Sequence, residues 1–190
     1  MFSLRYATRS EWVDTVLADF NAFLVDHAAA EKKASGMAVS MLSHYPDRPA
    51  LVTAMADLAI EELVHFREVI KIMTARGVQL GADNKDVYVN QLRKLTRKGS
   101  QAYMLDRLIL GGVIEARGCE RFGLVAQALA EGDLKHFYQR IADSEAKHGS
   151  LFIDLAKLYF SDSEVENRLD EILDREAAIV EALPLVAALH

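Results

Sequence analysis

Glu62-Leu-Val-His65 and Glu145-Ala-Lys-His148 are the two stretches on which the reading of this 190-residue chain turns. On a helix, residues i and i+3 share a face, so each pair directs a carboxylate and an imidazole at one point. Around the first pair, Leu51, Met55, Leu58, Val69 and Ile72 form an apolar stripe that Glu62 and His65 interrupt. Leu134, Tyr138, Ile141, Phe152 and Leu155 form the matching stripe around Glu145 and His148. A carboxylate on a core stripe is costly to bury unless something compensates its charge, and a divalent cation is one such compensation.

Two lone glutamates complete the pattern. Glu31 interrupts the spacing of Val13, Leu17, Phe20, Leu24, Ala34, Ala38 and Met41, and Glu115 that of Met104, Leu108, Gly111, Phe122, Val125 and Leu129. Glu31 precedes Glu62 by 31 residues and Glu115 precedes Glu145 by 30. The chain therefore reads as two helical hairpins, each supplying Glu…Glu-x-x-His. Glu31, Glu62, His65, Glu115, Glu145 and His148 are the candidate metal ligands. Four carboxylates balance two divalent ions, and this hard, oxygen-rich set suits iron, or alternatively manganese, better than zinc.

Neighbouring residues give secondary expectations. Glu120 shares a face with Ala116, Arg117 and Gly123 that reads as solvent-facing, which favours Glu115 over it as a ligand. Glu61 and Glu68 read as surface groups, and Asp57 and Asp143 either hydrogen-bond a ligand imidazole or lie on the surface. His27, one turn before Glu31, is either a partner for that glutamate or a core histidine. Gly111, Gly112 and Gly118 flank Glu115 and serve either close helix packing or space beside the metals.

Punctuation along the chain sets the elements. A first helix is expected from Ser10 to about Leu42, broken at Tyr45-Pro-Asp-Arg-Pro49, and a second from about Ala50 to Arg76, closed by Gly77. Val78–Asp86 reads as a connection and Val87–Arg97 as a short helix. Ser100 caps a third long helix over Gln101–Glu131, closed by Gly132, and Asp133 opens a fourth to about Phe160. Ser161-Asp-Ser163 introduces a fifth over Glu164–Leu183. No alternating strand pattern is present. The expected fold is all-α, a ferritin-like four-helix bundle with a short connecting helix and a C-terminal helix, in one domain over residues 1–190.

The formal charge of −6 argues against a uniformly basic surface, yet Arg93, Lys94, Arg97 and Lys98 form a dense local cluster. It is a solvated helix end or a phosphate-binding patch, with Arg107, Arg117 and Arg121 as further contributors to the latter. No apolar run is long enough to cross a membrane. The single cysteine, Cys119, cannot form an internal disulfide. Met1–Ser10 carries no secretion signal, and the expected setting is the cytoplasm.

The chain as a whole resembles the MiaE family of tRNA hydroxylases. The resemblance rests on Leu17–Lys33 with its His-Ala-Ala-Ala-Glu, on Ile60-Glu-Glu-Leu-Val-His-Phe66, on Ile109–Phe122 with Gly-Gly-Val-Ile-Glu-Ala-Arg-Gly-Cys-Glu-Arg-Phe, and on Ser144-Glu-Ala-Lys-His148. It implies a non-haem di-iron monooxygenase that hydroxylates the isopentenyl side chain of 2-methylthio-N6-isopentenyladenosine beside the tRNA anticodon. Its co-substrates are dioxygen and an electron donor that the sequence does not identify, and the six residues above are the iron ligands it implies. The rival readings are a quinone-ring hydroxylase or an iron or peroxide detoxification protein of the same fold.

Overall fold

The computed structural model describes residues 2–83 and 85–190, so Met1 and, within the expected Val78–Asp86 connection, Asn84 lie outside the described residues. Among the described residues there are seven helices and no strand: α1 (Ser10–Ala18), α2 (Phe20–His44), α3 (Pro49–Ala75), α4 (Val87–Arg93), α5 (Ser100–Ala128), α6 (Asp133–Tyr159) and α7 (Asp162–Ala182).

The expected first helix is in fact two. Asp19 leaves helical geometry at φ −136°, and its carboxylate accepts the Ala22 N–H at 3.1 Å, restarting the chain as an N-cap. The interruption resets the helical phase. Trp12 and Val16 are buried, whereas Leu17, expected on the core stripe, is 40% exposed.

The other boundaries shift for local reasons. Pro49 opens α3, where its missing N–H costs nothing, and Gly77 at φ +69° carries the chain away from the far end. The short helix is shorter than expected and stops at Arg93. Asp106 draws the segment beyond it out of helical geometry, accepting the Arg97 backbone N–H at 2.7 Å. Gly99, at φ +98°, is the N-cap of α5, and Ser100 is its first helical residue. A reciprocal Ser161–Glu164 capping box starts α7, so Glu164 lies inside the helix rather than at its start.

The chain groups into two compact units. One comprises Asp14–Asn84 with Val186–Leu189. Within it α2 and α3 pack along each other, with Phe23, Leu24, Ala38 and Met41 buried on one helix and Leu51, Met55, Leu58 and Val69 on the other. The Ser35 hydroxyl ties the pair together by donating to the Ala59 carbonyl at 2.8 Å.

The second unit comprises Met1–Val13, Lys85–Leu185 and His190. Its centre is the α5–α6 pair, against which α7 and α4 pack. Glycines bring α5 and α6 close. A Cβ on Gly111 would lie 2.8 Å from the Phe152 ring, and one on Gly112 would lie 3.1 Å from the Gly149 carbonyl oxygen. These two glycines therefore serve close packing, and no open space lies beside them. Val165, Ile172, Leu173 and Val180 form the buried stripe of α7.

Candidate metal centre

In the α2–α3 unit, Glu31, Glu62 and His65 each place a ligand atom within 4.8 Å of the others, and all three are buried. His65 Nδ1 lies 3.4 Å from Glu62 Oε2 and 3.6 Å from Glu31 Oε2. Burial pushes the His65 pKa down, but ion pairing with these two carboxylates outweighs it and the value rises to about 10. The two glutamates thus draw a positive charge onto this spot.

Behind Glu31 sits His27, fully buried, with Nε2 2.6 Å from Glu31 Oε1. Burial, reinforced by the charge on His65, lowers the His27 pKa to about 3. A neutral imidazole facing a carboxylate must donate, so Nε2 carries the proton and orients Glu31. Of the two expectations for His27, the partner of Glu31 is the one observed.

The α5–α6 unit repeats the arrangement. Glu115, Glu145 and His148 are buried and also offer ligand atoms within 4.8 Å of one another. His148 Nδ1 lies 3.4 Å from Glu145 Oε2. Each hairpin thus brings together the three residues its sequence pattern singles out. The donors are carboxylate oxygens and imidazole nitrogens with no thiolate among them, a set that fits hard divalent cations. Glu61 is exposed as expected and Glu68 is half-buried, while of the two alternatives for Asp57 and Asp143 their exposure matches the surface one.

The face through Glu120 is not solvent-facing. Arg117 is completely buried and Glu120 pairs with it, while accepting from the Thr8 N–H at 2.9 Å and the Thr8 hydroxyl at 2.7 Å. Arg117 Nε and Nη2 hold the two oxygens of Glu176, at 2.9 and 3.1 Å, and the Tyr88 hydroxyl donates to Glu176 at 3.0 Å. Arg121 is buried with its guanidinium 5.0 Å from the centre of the Trp12 ring. Arg117 and Arg121 are therefore internal and contribute nothing to a surface phosphate patch.

This network escaped the sequence reading, although one signal for it was present. Glu176 interrupts the apolar stripe of α7 just as Glu62 interrupts that of α3, and here the compensating charge is an arginine.

Arg93 and Lys94 stand exposed at the end of α4, and Lys98 is exposed beyond them. Arg97 differs, since its guanidinium is engaged with the buried Asp106 at 2.8 Å, alongside Arg168 at 2.8 Å. Among the described residues no helix is long and apolar enough to cross a membrane.

Comparison with known proteins adds what geometry does not. The family model described as tRNA-(MS2IO6A)-hydroxylase (MiaE) matches residues 2–190. A Pseudomonas putida protein named tRNA 2-(methylsulfanyl)-N(6)-isopentenyladenosine(37) hydroxylase is 33% identical over 175 residues, covering 92% of this chain and 85% of that protein. A Salmonella typhimurium protein of the same name is 37% identical over 107 residues, 56% of this chain and 39% of that one. Among solved structures, Protein 43 with aldehyde deformylating oxygenase activity from Synechococcus matches with a TM-score of 0.94 at 32% identity, covering 100% of this chain and 96% of that one. The all-α fold is thus ferritin-like. With two buried Glu/Glu/His sets and a family match running from residue 2 to residue 190, the chain belongs to the MiaE family.

Proposed function

We propose that the protein is a tRNA-modifying monooxygenase that hydroxylates the isopentenyl side chain of 2-methylthio-N6-isopentenyladenosine beside the anticodon. The observation that carries this reading is the pair of buried Glu/Glu/His sets within a chain of the MiaE family. In this reading the protein is a single domain in which Glu31, Glu62, His65, Glu115, Glu145 and His148 together hold two iron ions. Four carboxylates make that assembly neutral, which lets it sit in an apolar interior. Two irons held there would supply dioxygen activation; with two electrons from an external donor and two protons, one oxygen atom would enter a C–H bond and the other would leave as water.

The chain itself supplies orientation and dryness. His27 holds Glu31 through the 2.6 Å hydrogen bond, and the surrounding stripe residues exclude water. An anticodon-loop base is already single-stranded, so it turns out of its stack cheaply. Arg93, Lys94 and Lys98 serve the tRNA backbone in this account. Arg97 belongs to the same cluster, but its engagement with Asp106 makes it as much a structural group as a phosphate contact. A tRNA substrate puts the reaction in the cytoplasm.

The test is direct. Iron-loaded protein is given dioxygen, a reductant and tRNA bearing the prenylated, methylthiolated adenosine, and the digested nucleosides are weighed by mass spectrometry. Gain of one oxygen on that nucleoside, lost in Glu115→Ala, supports the reading. A second reading, oxygen-dependent deformylation of an aldehyde, is favoured by the likeness to the Synechococcus structure. Deformylation of an added aldehyde, with tRNA left unchanged, would replace the first reading with the second.

A further inference from the structure

Within the α5–α6 unit, the N-terminal segment Phe2–Ala7 runs as a strap without helix or strand over the facing sides of the two helices. Beneath it lies a cavity of about 540 Å3, whose lining includes Phe2, Leu4, Tyr6, Ala116, Cys119 and Glu145. Side chains fasten the strap. Arg117 donates to the Tyr6 carbonyl at 2.8 Å, Thr8 donates twice to Glu120, and Arg5 pairs with Asp170 and Asp174 of α7. Arg117 is itself clamped by Glu176, so the wall of the cavity is tied to the buried ion network.

We propose that this cavity receives the isopentenyl side chain of the modified adenosine, and that Arg117 and Glu120 are positioning residues that hold the strap over it. The proposal rests on the function given above and adds where the substrate sits. A branched hydrocarbon makes no hydrogen bonds and needs apolar walls, which Phe2, Leu4 and Ala116 provide. The volume falls in the range of roughly 300–1,000 Å3 usual for small-molecule sites. The small residues Ala116, Ala146 and Gly149 create the room. Glu145, a ligand in the proposed centre, stands on the wall, so a chain entering here brings its C–H bonds to the side of that centre.

Cys119 is the only cysteine in the sequence and lines the cavity, which makes it a built-in probe. Iron-loaded protein under nitrogen is treated with N-ethylmaleimide and followed by intact mass. It is tested alone, with prenylated tRNA, and with the same tRNA carrying plain adenosine. Prenylated tRNA is expected to slow alkylation of Cys119 by at least about tenfold relative to plain tRNA, reflecting a filled pocket rather than a covered surface. Equal rates overturn the proposal.

Alkylated protein and the Ala146→Phe variant, each shown to keep its iron, are expected to lose roughly 10- to 200-fold in kcat/KM, the scale of a hydrophobic pocket contact. If the untreated enzyme hydroxylates tRNA and both blocked forms do so equally well, the pocket lies elsewhere and the functional reading survives. If the untreated enzyme never hydroxylates tRNA, the functional reading fails and takes the proposal with it. Glu120→Ala is expected to raise KM several-fold with little change in kcat and to speed alkylation of Cys119. Unchanged KM removes Glu120 from the positioning role.

Discussion

The α2–α3 and α5–α6 hairpins carry the same donors at nearly the same spacing, yet they differ one turn before the lone glutamate. In the first, that position is His27, which is buried and hydrogen-bonded to Glu31. In the second it is Gly111, and the space a side chain would fill is taken by the Phe152 ring. One hairpin orients its glutamate with a polar partner. The other brings its helices close and has a cavity against Glu145. The two buried Glu/Glu/His sets thus sit in unequal surroundings.

The largest expected effect treats the two hairpins as equivalent. Glu62→Ala and Glu145→Ala should each abolish hydroxylation and lower iron content in elemental analysis, exceeding the ~100-fold upper limit for loss of an outer partner. Full activity in either variant would break the symmetry of the two sets.

The next effect exposes their difference. His27→Ala should weaken iron binding by roughly 10- to 100-fold in a chelator competition, because Glu31 loses the donor that orients it. His27→Gln should recover part of this by keeping a hydrogen-bond donor.

The remaining predictions concern stability. Asp106→Asn should cost about 3–5 kcal/mol in urea unfolding, since Arg97 and Arg168 lose their shared buried counter-ion. Burial works to raise the Asp106 pKa, but its hydrogen bonds to the two arginines prevail and hold it below the ordinary carboxylate value. A depressed folded-state pKa contributes stability that is present above the unfolded value, near 3.9, and lost as pH falls through the folded one. The wild-type protein should therefore lose more stability on acidification than Asp106→Asn does.

The smallest expected effect is that of Gly111→Ala. Crowding against Phe152 costs about 1–3 kcal/mol, and the helical gain of Ala over Gly returns roughly 0.5–1 kcal/mol, so a modest drop in Tm is expected. The Ala equivalent at residue 27 is a contraction instead, so the two substitutions probe the same position in the two hairpins from opposite directions.

Much of this was legible in the chain itself. The Glu-x-x-His repeats, the lone glutamates one hairpin-length upstream and the Gly and Pro punctuation each act through neighbours three, four or about thirty residues away. They predicted helices, hairpins and the residues that each hairpin gathers. The break at Asp19 was missed because an aspartate inside an apolar periodicity signals a cap only weakly. The α4 end was missed because the group that unwinds the following segment, Asp106, lies on another helix.

Glu62 and Glu176 show where sequence stops. Both are carboxylates on apolar stripes, and the sequence determines that each needs a compensating positive charge. Only the tertiary structure decides what stands beside it: Arg117 beside Glu176, and His65, within a buried Glu/Glu/His set, beside Glu62. Local periodicity fixes which face a side chain occupies, whereas the identity of its partner depends on which distant segment packs against that face.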